Sequence, residues 1–443
     1  MANSFISKSR KINLGLIVSA FIGVAISYSD FYLFHFMLLI FLVVSIYQIK
    51  NNEFLLDISI LKKNYVPTLI IFLLWYILSL FWAPSLDLGL KYIFYITCGL
   101  TITLSFISFS ITIKNLNKIF NILSVFVLIE ITIGLIESFT SLRMPISSYS
   151  SIAVSFGKEP INFSELDNIF LYSNVRPPTG FRWNTNDLAI CMIISLPFFL
   201  CSKKTVVKLL GILSITTIIV MTASRAVFLA MLLVYFLYLF LIKKRIGTLA
   251  LITSISSIIL WSMFQLVESE NPRINELANS LEALLLFLSG ELDIGGSIEW
   301  RRELVDNGLN AFYDSYGLGL GAGGSVANQE IMGPVAGRFT SMHNFWVELL
   351  VEGGVFIATI ISFWIVSIIL RLFAISRSSL NKMLKYYSQS LFLSLTAFIP
   401  AAIAGSSTIY FFPMWIMFGF AISVILLSKN DYRAPKSERI VNI

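Results

Sequence analysis

The chain has 443 residues, of which 57% are hydrophobic and 13% are charged, and its formal net charge is +7. An ordinary soluble domain carries about twice that share of charged residues, so the composition excludes a soluble globular protein and is typical of a membrane protein. The three cysteines lie in apolar segments without metal-ligand spacing, so neither a disulfide framework nor a zinc site is predicted.

Apolar runs that suit a bilayer recur along the whole chain. About 20 apolar residues in a helix cross roughly 30 Å of hydrocarbon. A basic N-terminal segment leads into the first run without a small-residue cleavage site, so we interpret this run as a retained helix. We predict an all-α polytopic membrane protein with a single transmembrane domain over residues 1–443. Its twelve predicted spans are 12–28, 31–48, 66–83, 92–111, 120–138, 187–202, 206–222, 226–242, 246–265, 345–369, 388–405 and 409–427.

The basic residues between the runs predict which side each connection faces. With the N-terminus in the cytoplasm, every even-numbered connection and the C-terminal tail carry lysine or arginine, as the positive-inside rule requires. Both termini are therefore predicted to be cytoplasmic, and the net positive charge needs no nucleic-acid partner. Two outer loops remain, 140–186 and the larger 266–342 between the ninth and tenth spans. Within the larger loop the apolar segment 281–290 is too short to span, and we expect it to lie on the membrane or pack on the bundle.

Arginine is more frequent than lysine on the predicted outer side. Its planar fork of donors binds phosphate bidentately and stays protonated, which suits a lipid-linked phosphate or diphosphate. The alternative for each arginine is to anchor a loop or to pair with an acidic residue. The outer arginines are Arg143, Arg176, Arg182, Arg225, Arg273, Arg301, Arg302 and Arg338.

Two of these arginines stand next to predicted helices. Arg225 lies in MTASRAVFLA between two apolar runs, and a charge near membrane depth usually faces a polar cavity. Arg182 lies in RPPTGFRWNTNDLAI, where a polar cluster precedes the sixth span. That cluster either caps the helix through Asn184 or Asn186, or positions Arg182 over a cavity, and both interpretations stay open.

The predicted outer loop ends in two further motifs. SIEWRRELVDNGLNAFYDSYGLGLGAGGS has helical spacing over 298–313 and then a glycine-rich turn, but it lacks the GK[ST] of a nucleotide P-loop. His343 stands in SMHNFWVELLVEGG at the outer start of the tenth span. It is a candidate for proton transfer near neutral pH, and a structural interfacial role is the alternative. Glu348, Glu352 and Asp306 are further candidates as bases or orienting groups, although no glycosidase-like pair of carboxylates is evident.

Taken in order, these motifs resemble the O-antigen ligase/O-antigen polymerase superfamily of bacterial envelope glycosyltransferases. The resemblance covers roughly 176–365 and includes the Asn cluster, T-x-SRA, GLGLGAG and HNFWVELLVEGG. It implies a GT-C-like fold in the bacterial cytoplasmic (inner) membrane, with the active site and the large loop facing the periplasm. It also implies inverting glycosyl transfer from undecaprenyl diphosphate without a metal or cofactor.

Carried over residue by residue, the resemblance implies a catalytic set and a substrate-binding set. The catalytic residues would be His343, Arg301 and Arg225, with Arg302 as an adjacent competitor of Arg301. The substrate-binding residues would be Arg182, Arg176, Arg302, Arg338 and Asn344.

Three functions compete at this stage. The first is polymerisation of lipid-linked oligosaccharide repeat units into O-antigen or capsular polysaccharide, which the Phe-, Ile- and Ser-rich composition favours. The second is an O-antigen ligase that transfers the glycan to lipid A–core. The third, a lipid-linked glycan flippase, is disfavoured because the candidate residues collect on one side and the first helices carry almost no charge. The implied partners are undecaprenyl-diphosphate-linked donor and acceptor oligosaccharides, membrane lipids, a chain-length regulator and a flippase.

Overall fold

The computed structural model describes residues 2–50, 61–62, 65–160, 177–222, 224–243, 297–335, 340–405, 407 and 409–433. These residues are mainly helical, with one short hairpin whose strands β1 (Ser27–Tyr28) and β2 (Phe31–Tyr32) pair antiparallel. The α-helices of this part of the chain are α1 (Ala2–Ile22), α2 (Leu33–Lys50), α3 (Val66–Leu78), α4 (Leu86–Phe109), α5 (Ile113–Phe139), α6 (Thr185–Leu200), α7 (Thr205–Met221), α8 (Arg225–Leu237), α9 (Ser297–Asp314), α10 (Gly324–Met332), α11 (Phe345–Ser378), α12 (Lys382–Ala401) and α13 (Phe412–Arg433).

The helices coincide with the predicted apolar runs wherever the structure describes them. Among the described residues, five helical segments are long and apolar enough to cross a membrane, and five shorter apolar helices accompany them. An α-helical membrane protein is thereby confirmed, while the count of twelve spans stays a prediction. The ninth run, 246–265, and the apolar segment 281–290 lie outside the described residues. The five long segments are Leu86–Phe109, Ile113–Phe139, Arg225–Lys243, Phe345–Ser378 and Phe412–Lys429.

Short polar side chains begin several of these helices. Ser85, Thr112, Asn184, Asn344 and Asn381 each stand just before a helix, and each accepts a hydrogen bond from a backbone N–H of its first turn. Such caps satisfy donors that have no partner within the helix. The cap predicted for the sixth span is confirmed at Asn184, and the helix predicted over 298–313 is confirmed as α9.

The buried core centres on α6, which other helices surround. Every residue from Leu188 to Leu196 on this helix is buried, so it is apolar around its full circumference rather than on one stripe. Helices α7, α8 and α12 pack against it. The residues that begin α6 are thereby held in a fixed position relative to the rest of the bundle.

Two hydrogen-bonded contacts define the two ends of the bundle. At one end, the start of α11 meets the end of α12, where Phe345 N donates to Ala402 O at 3.2 Å. We call this the His343 end. At the other end, the hydroxyl of Tyr386 donates to Phe198 O at 2.8 Å and that of Tyr387 to Asn117 Oδ1 at 2.7 Å. We call this the lysine end, because the lysines that flank α5, α6, α7 and α12 lie there.

Candidate active site

Three sequence-predicted residues come together at the His343 end, each from a different segment. Arg225 is the first residue of α8, Arg301 is the fifth residue of α9, and His343 lies two residues before α11. Burial, and then the charge of Arg225, lower the pKa of Arg301. Burial, and then the charge of Arg301, lower the pKa of His343 to about 4. Arg301 is therefore close enough to both Arg225 and His343 to interact with each of them electrostatically.

This cluster carries positive charge from more than its side chains. Both half-buried guanidinium groups are cationic, because arginine carries its charge at all physiological pH values. The N-termini of α8 and α11 add partial positive charge, and the side chain of Ser224 makes no capping hydrogen bond at the start of α8. His343 is neutral at physiological pH, since its pKa is lowered to about 4. The cluster thus combines anion-binding donors with a neutral imidazole that can accept a proton.

The backbone at His343 is held in an unusual conformation. Its φ of 47° falls in the left-handed region, which costs energy for a residue with a Cβ. The next residue, Asn344, uses its side-chain oxygen to cap α11 through Trp346 N at 3.1 Å and Val347 N at 3.4 Å. The cap and the start of α11 therefore fix the backbone from which the imidazole projects.

The structure separates the two adjacent arginines of α9. Arg301 is half-buried and its pKa is lowered by burial and by the charge of Arg225, whereas Arg302 is exposed. Arg302 lies 3.7 Å from the carboxylate of Asp306, one turn along the same helix, and both side chains are mostly exposed. An exposed pair of this kind adds little stability. Of the two candidates, only Arg301 lies in the cationic cluster.

Arg182 lies in a different environment at the same end of the bundle. Its guanidinium is buried and pairs with both carboxylate oxygens of Glu130, at 2.9 Å and 3.1 Å. It also donates to Phe21 O at 2.9 Å and to Cys191 Sγ at 3.3 Å. These contacts tie α1, α5 and α6 together. The donors of Arg182 are thus already engaged within the protein.

The glycine-rich turn after α9 packs against its own chain, at a break in α11. Gly354 has a φ of 69° and a ψ of −179°, so the helical hydrogen bonding is interrupted there. The turn supplies the missing partners: Leu320 N donates to Val351 O at 2.7 Å, and Gly321 N donates to Glu352 O at 3.0 Å. A Cβ on Gly319 would lie 2.5 Å from Gly354 N, so the contact requires glycine. The turn therefore closes the helix break.

Two further acidic candidates are buried below this turn. Glu348 accepts a hydrogen bond from the Tyr92 hydroxyl at 3.1 Å, and Glu352 accepts one from Ser325 Oγ at 2.6 Å. Both carboxylates are 1% exposed. They connect α11 to α4 and α10 through hydroxyl donors, which is an orienting arrangement. Asp306, the third candidate, pairs with Arg302 on the surface.

The remaining candidates fall into two groups. Arg143 donates to the backbone oxygens of Glu137, Thr140 and Leu142, so it holds the loop that follows α5. The other candidates, Arg176, Arg273 and Arg338, lie outside the described residues.

Glu130 is the partner that sequence reasoning did not single out. It is a fully buried carboxylate in the middle of the apolar helix α5. An ionisable residue inside an apolar run is costly unless it is paired, so its position alone signals a buried cation nearby. Glu137, two turns further on, accepts from Thr179 N and Gly180 N and thereby holds the loop before Arg182.

Comparisons with known proteins agree with the sequence motifs. Residues 209–362, which include Arg225, Arg301 and His343, match a protein-family model described as O-antigen ligase. The chain is 24% identical over 380 residues to the teichuronic acid biosynthesis protein TuaE of Bacillus subtilis (strain 168), covering 83% of this chain and 73% of the relative. These findings confirm the resemblance of this membrane protein to the O-antigen ligase/O-antigen polymerase superfamily of envelope polysaccharide biosynthesis.

Proposed function

We propose that the chain polymerises undecaprenyl-diphosphate-linked oligosaccharide repeat units into an O-antigen or a capsular polysaccharide at the periplasmic face of the inner membrane. The observation that carries this proposal is the convergence of Arg225, Arg301 and His343 at one end of the bundle. The family comparisons support envelope polysaccharide polymerisation or ligation in general.

The proposed chemistry assigns one role to each part of the cluster. The hydroxyl oxygen of the acceptor sugar attacks the anomeric carbon of the donor, and the bond from that carbon to the diphosphate oxygen breaks. The electron pair leaves with undecaprenyl diphosphate, and His343 takes the hydroxyl proton. Arg225 and Arg301 stabilise the negative charge that develops on the diphosphate, and charges act strongly in a water-poor site.

The predicted arginines and Asn344 have different roles in the proposal. We assign the diphosphate first to Arg225 and Arg301, because the charge of Arg225 acts on Arg301 and that of Arg301 acts on His343. The guanidinium of Arg182 pairs with Glu130, and that of Arg302 lies on the surface near Asp306. Arg176 and Arg338 remain proposed substrate ligands. Arg182 and Asn344 would then act by holding the segments that carry the site, the first through α1 and α5 and the second through the cap of α11.

The second candidate function is an O-antigen ligase that transfers the glycan to lipid A–core. The description of the matching family model, O-antigen ligase, favours it. The Bacillus relative is named for teichuronic acid biosynthesis rather than for lipopolysaccharide, which favours the polymerase. The geometry of the cluster serves both reactions equally, because the donor diphosphate is common to them.

A gene deletion distinguishes the two functions. In cells that lack the gene, a lipopolysaccharide ladder reduced to a single capped repeat indicates a polymerase. Loss of all O-antigen from lipid A, with polymer retained on undecaprenyl diphosphate, indicates a ligase. A lipopolysaccharide ladder and a capsular polysaccharide that both stay unchanged, together with failed export of another glycan, contradict both. Complementation with wild type and with His343→Ala, at matched membrane abundance, connects either phenotype to the proposed site.

A further inference from the structure

A large apolar cavity lies away from the cationic cluster. It has a volume of about 680 Å³ and is lined mainly by residues of α5, α6, α7, α12 and α13. Aromatic rings form much of its wall, including Phe120, Phe198 and Phe420, and the last two stack with their centroids 5.7 Å apart. Gly211 contributes to the wall as well, and a Cβ there would lie 2.1 Å from the ring of Phe199. The glycine thus lets α7 approach α6 closely.

The cavity is elongated along the helix axes. Its lining on α5 runs from Phe120 to Ile131, a distance of about 16 Å at 1.5 Å per residue. That length is about half of the roughly 30 Å of hydrocarbon in a bilayer, which is the depth of one leaflet. Leu128 and Leu210 line the cavity and are 52% and 60% exposed, so it opens sideways onto the apolar outer surface of the bundle. Hydrocarbon chains of the bilayer can enter through this side.

The two ends of the cavity differ in chemistry. At the lysine end it is lined by Asn121, Ser202 and Lys204, which offer an amide, a hydroxyl and an ammonium group. Towards the His343 end it is lined by Phe21, Ile131 and other apolar groups. The lining therefore suits a molecule with an apolar tail and an anionic head, with the head at the lysine end.

We propose that this cavity binds an anionic phospholipid from the leaflet at the lysine end. Its acyl chain lies along α5 between the phenylalanine rings, and its phosphate contacts the ammonium group of Lys204. Asn121 and Ser202 donate hydrogen bonds to the oxygens of the headgroup. The lipid fills the space between α5 and α7 and thereby braces the side of α6 that faces them.

The position of the polar residues, at the lysine end of the cavity, distinguishes this lipid from a glycan donor. The cationic cluster of Arg225, Arg301 and His343 lies at the His343 end, so a diphosphate bound there enters from the opposite leaflet. The phosphate at Lys204 belongs to a different molecule. The inference therefore does not depend on the proposed glycosyl transfer and can fail or succeed by itself.

Lipid binding to the purified full-length protein tests the inference. Native mass spectrometry in detergent measures the apparent Kd for phosphatidylglycerol and for phosphatidylcholine with the same acyl chains. We expect phosphatidylglycerol to bind about fivefold more tightly, as one basic residue near an anionic headgroup provides. Lys204→Gln should remove that preference. Lys203→Gln is the matched control, because Lys203 is the adjacent exposed lysine and does not line the cavity.

A second pair of variants tests the cavity itself. Ser214→Trp fills it from α7 and should abolish tight binding of both lipids, whereas Leu213→Trp places the same ring on the outer surface and should not. The melting temperature without added lipid verifies that both variants fold. Equal effects of Lys203→Gln and Lys204→Gln, or wild-type binding by folded Ser214→Trp, would overturn the proposal. Displacement of phosphatidylglycerol by undecaprenyl phosphate would overturn it too, because the occupant would then be the polyprenyl lipid.

Discussion

The buried Arg182 and the half-buried Arg301, both at the His343 end, have opposite electrostatic environments. Arg182 lies against the carboxylate of Glu130, which occupies its guanidinium bidentately. Arg301 lies near another arginine and a neutral histidine, and among the residues that the structure describes the charge that shifts its pKa is that of Arg225. A neutralised arginine holds helices together, whereas a cluster of like charges is stable only if an anion or solvent compensates it. The environment, more than the residue type, therefore separates a structural arginine from a candidate ligand.

The largest expected effect is on catalysis, at the cationic cluster. His343→Ala and Arg301→Ala should each lower the transfer rate about 10²–10⁴-fold, because they remove the base and a donor to the leaving diphosphate. The initial rate with purified protein and a lipid-linked repeat unit measures this effect. The melting temperature should stay near that of wild type. Near-normal polymer from either variant would remove that residue from the mechanism.

The next effect is on stability, at the buried pair. Arg182→Ala should lower the free energy of unfolding by about 3–5 kcal/mol, since it leaves Glu130 buried and unpaired. Thermal denaturation in detergent detects the loss as a lower melting temperature. The double variant Arg182→Met/Glu130→Leu should regain most of the stability, because it removes both charges. If Arg182→Ala kept its melting temperature and lost activity, the structural role of Arg182 would be contradicted. Arg182 would then be a substrate ligand like Arg301.

A smaller effect is expected on the pH dependence of kcat/KM, which links His343 to Arg301. Because the pKa of His343 is lowered to about 4, the imidazole stays neutral as the pH falls through 6, and kcat/KM should decline only near pH 4. Arg301→Gln removes a positive charge beside the ring, so protonation becomes easier and the decline should move to higher pH. An acid limb near pH 6.5 in the wild type would contradict this arrangement.

The smallest effect is expected at the neighbour of Arg301. Arg302→Ala removes an exposed charge near Asp306, so stability should change by less than about 1 kcal/mol. The transfer rate should stay within about twofold of wild type, which makes this variant the matched control for Arg301→Ala. A rate loss as large as that of Arg301→Ala would mean that the exposed arginine meets the substrate.

Much of the helical framework could be predicted because apolar run length and polar caps are local signals. Asn184 could be identified as a cap, and the 298–313 helix from its spacing, since both depend on neighbours within a few residues. The pairing of Arg182 with Glu130 joins positions 52 residues apart, and periodicity carries no signal for such a contact. The choice between Arg301 and Arg302 also needed the structure, because adjacent helical residues face different directions.

The glycine-rich turn after α9 is visible in the sequence, and glycines permit another group to approach the backbone closely. The structure shows close approach to the chain itself, at the break in α11. The glycines correctly indicated a close backbone contact. That the contact is with the backbone of α11 depends on tertiary packing, which the sequence does not show. Gly353 and Gly354 in VEGG were the corresponding signal within α11, and two adjacent glycines in a long apolar helix indicate a departure from regular geometry.

The closure of that break also affects how this region assembles while the chain is being synthesised. The turn over 317–323 precedes α11 in the chain, so the ribosome produces the donors before the carbonyl groups of Val351 and Glu352. Unpaired backbone groups are costly in hydrocarbon, and an interrupted helix that entered the bilayer alone would carry that cost. Here the matching segment already exists when the interrupted helix emerges. The chain can therefore assemble this region vectorially, with each new element meeting a partner already made.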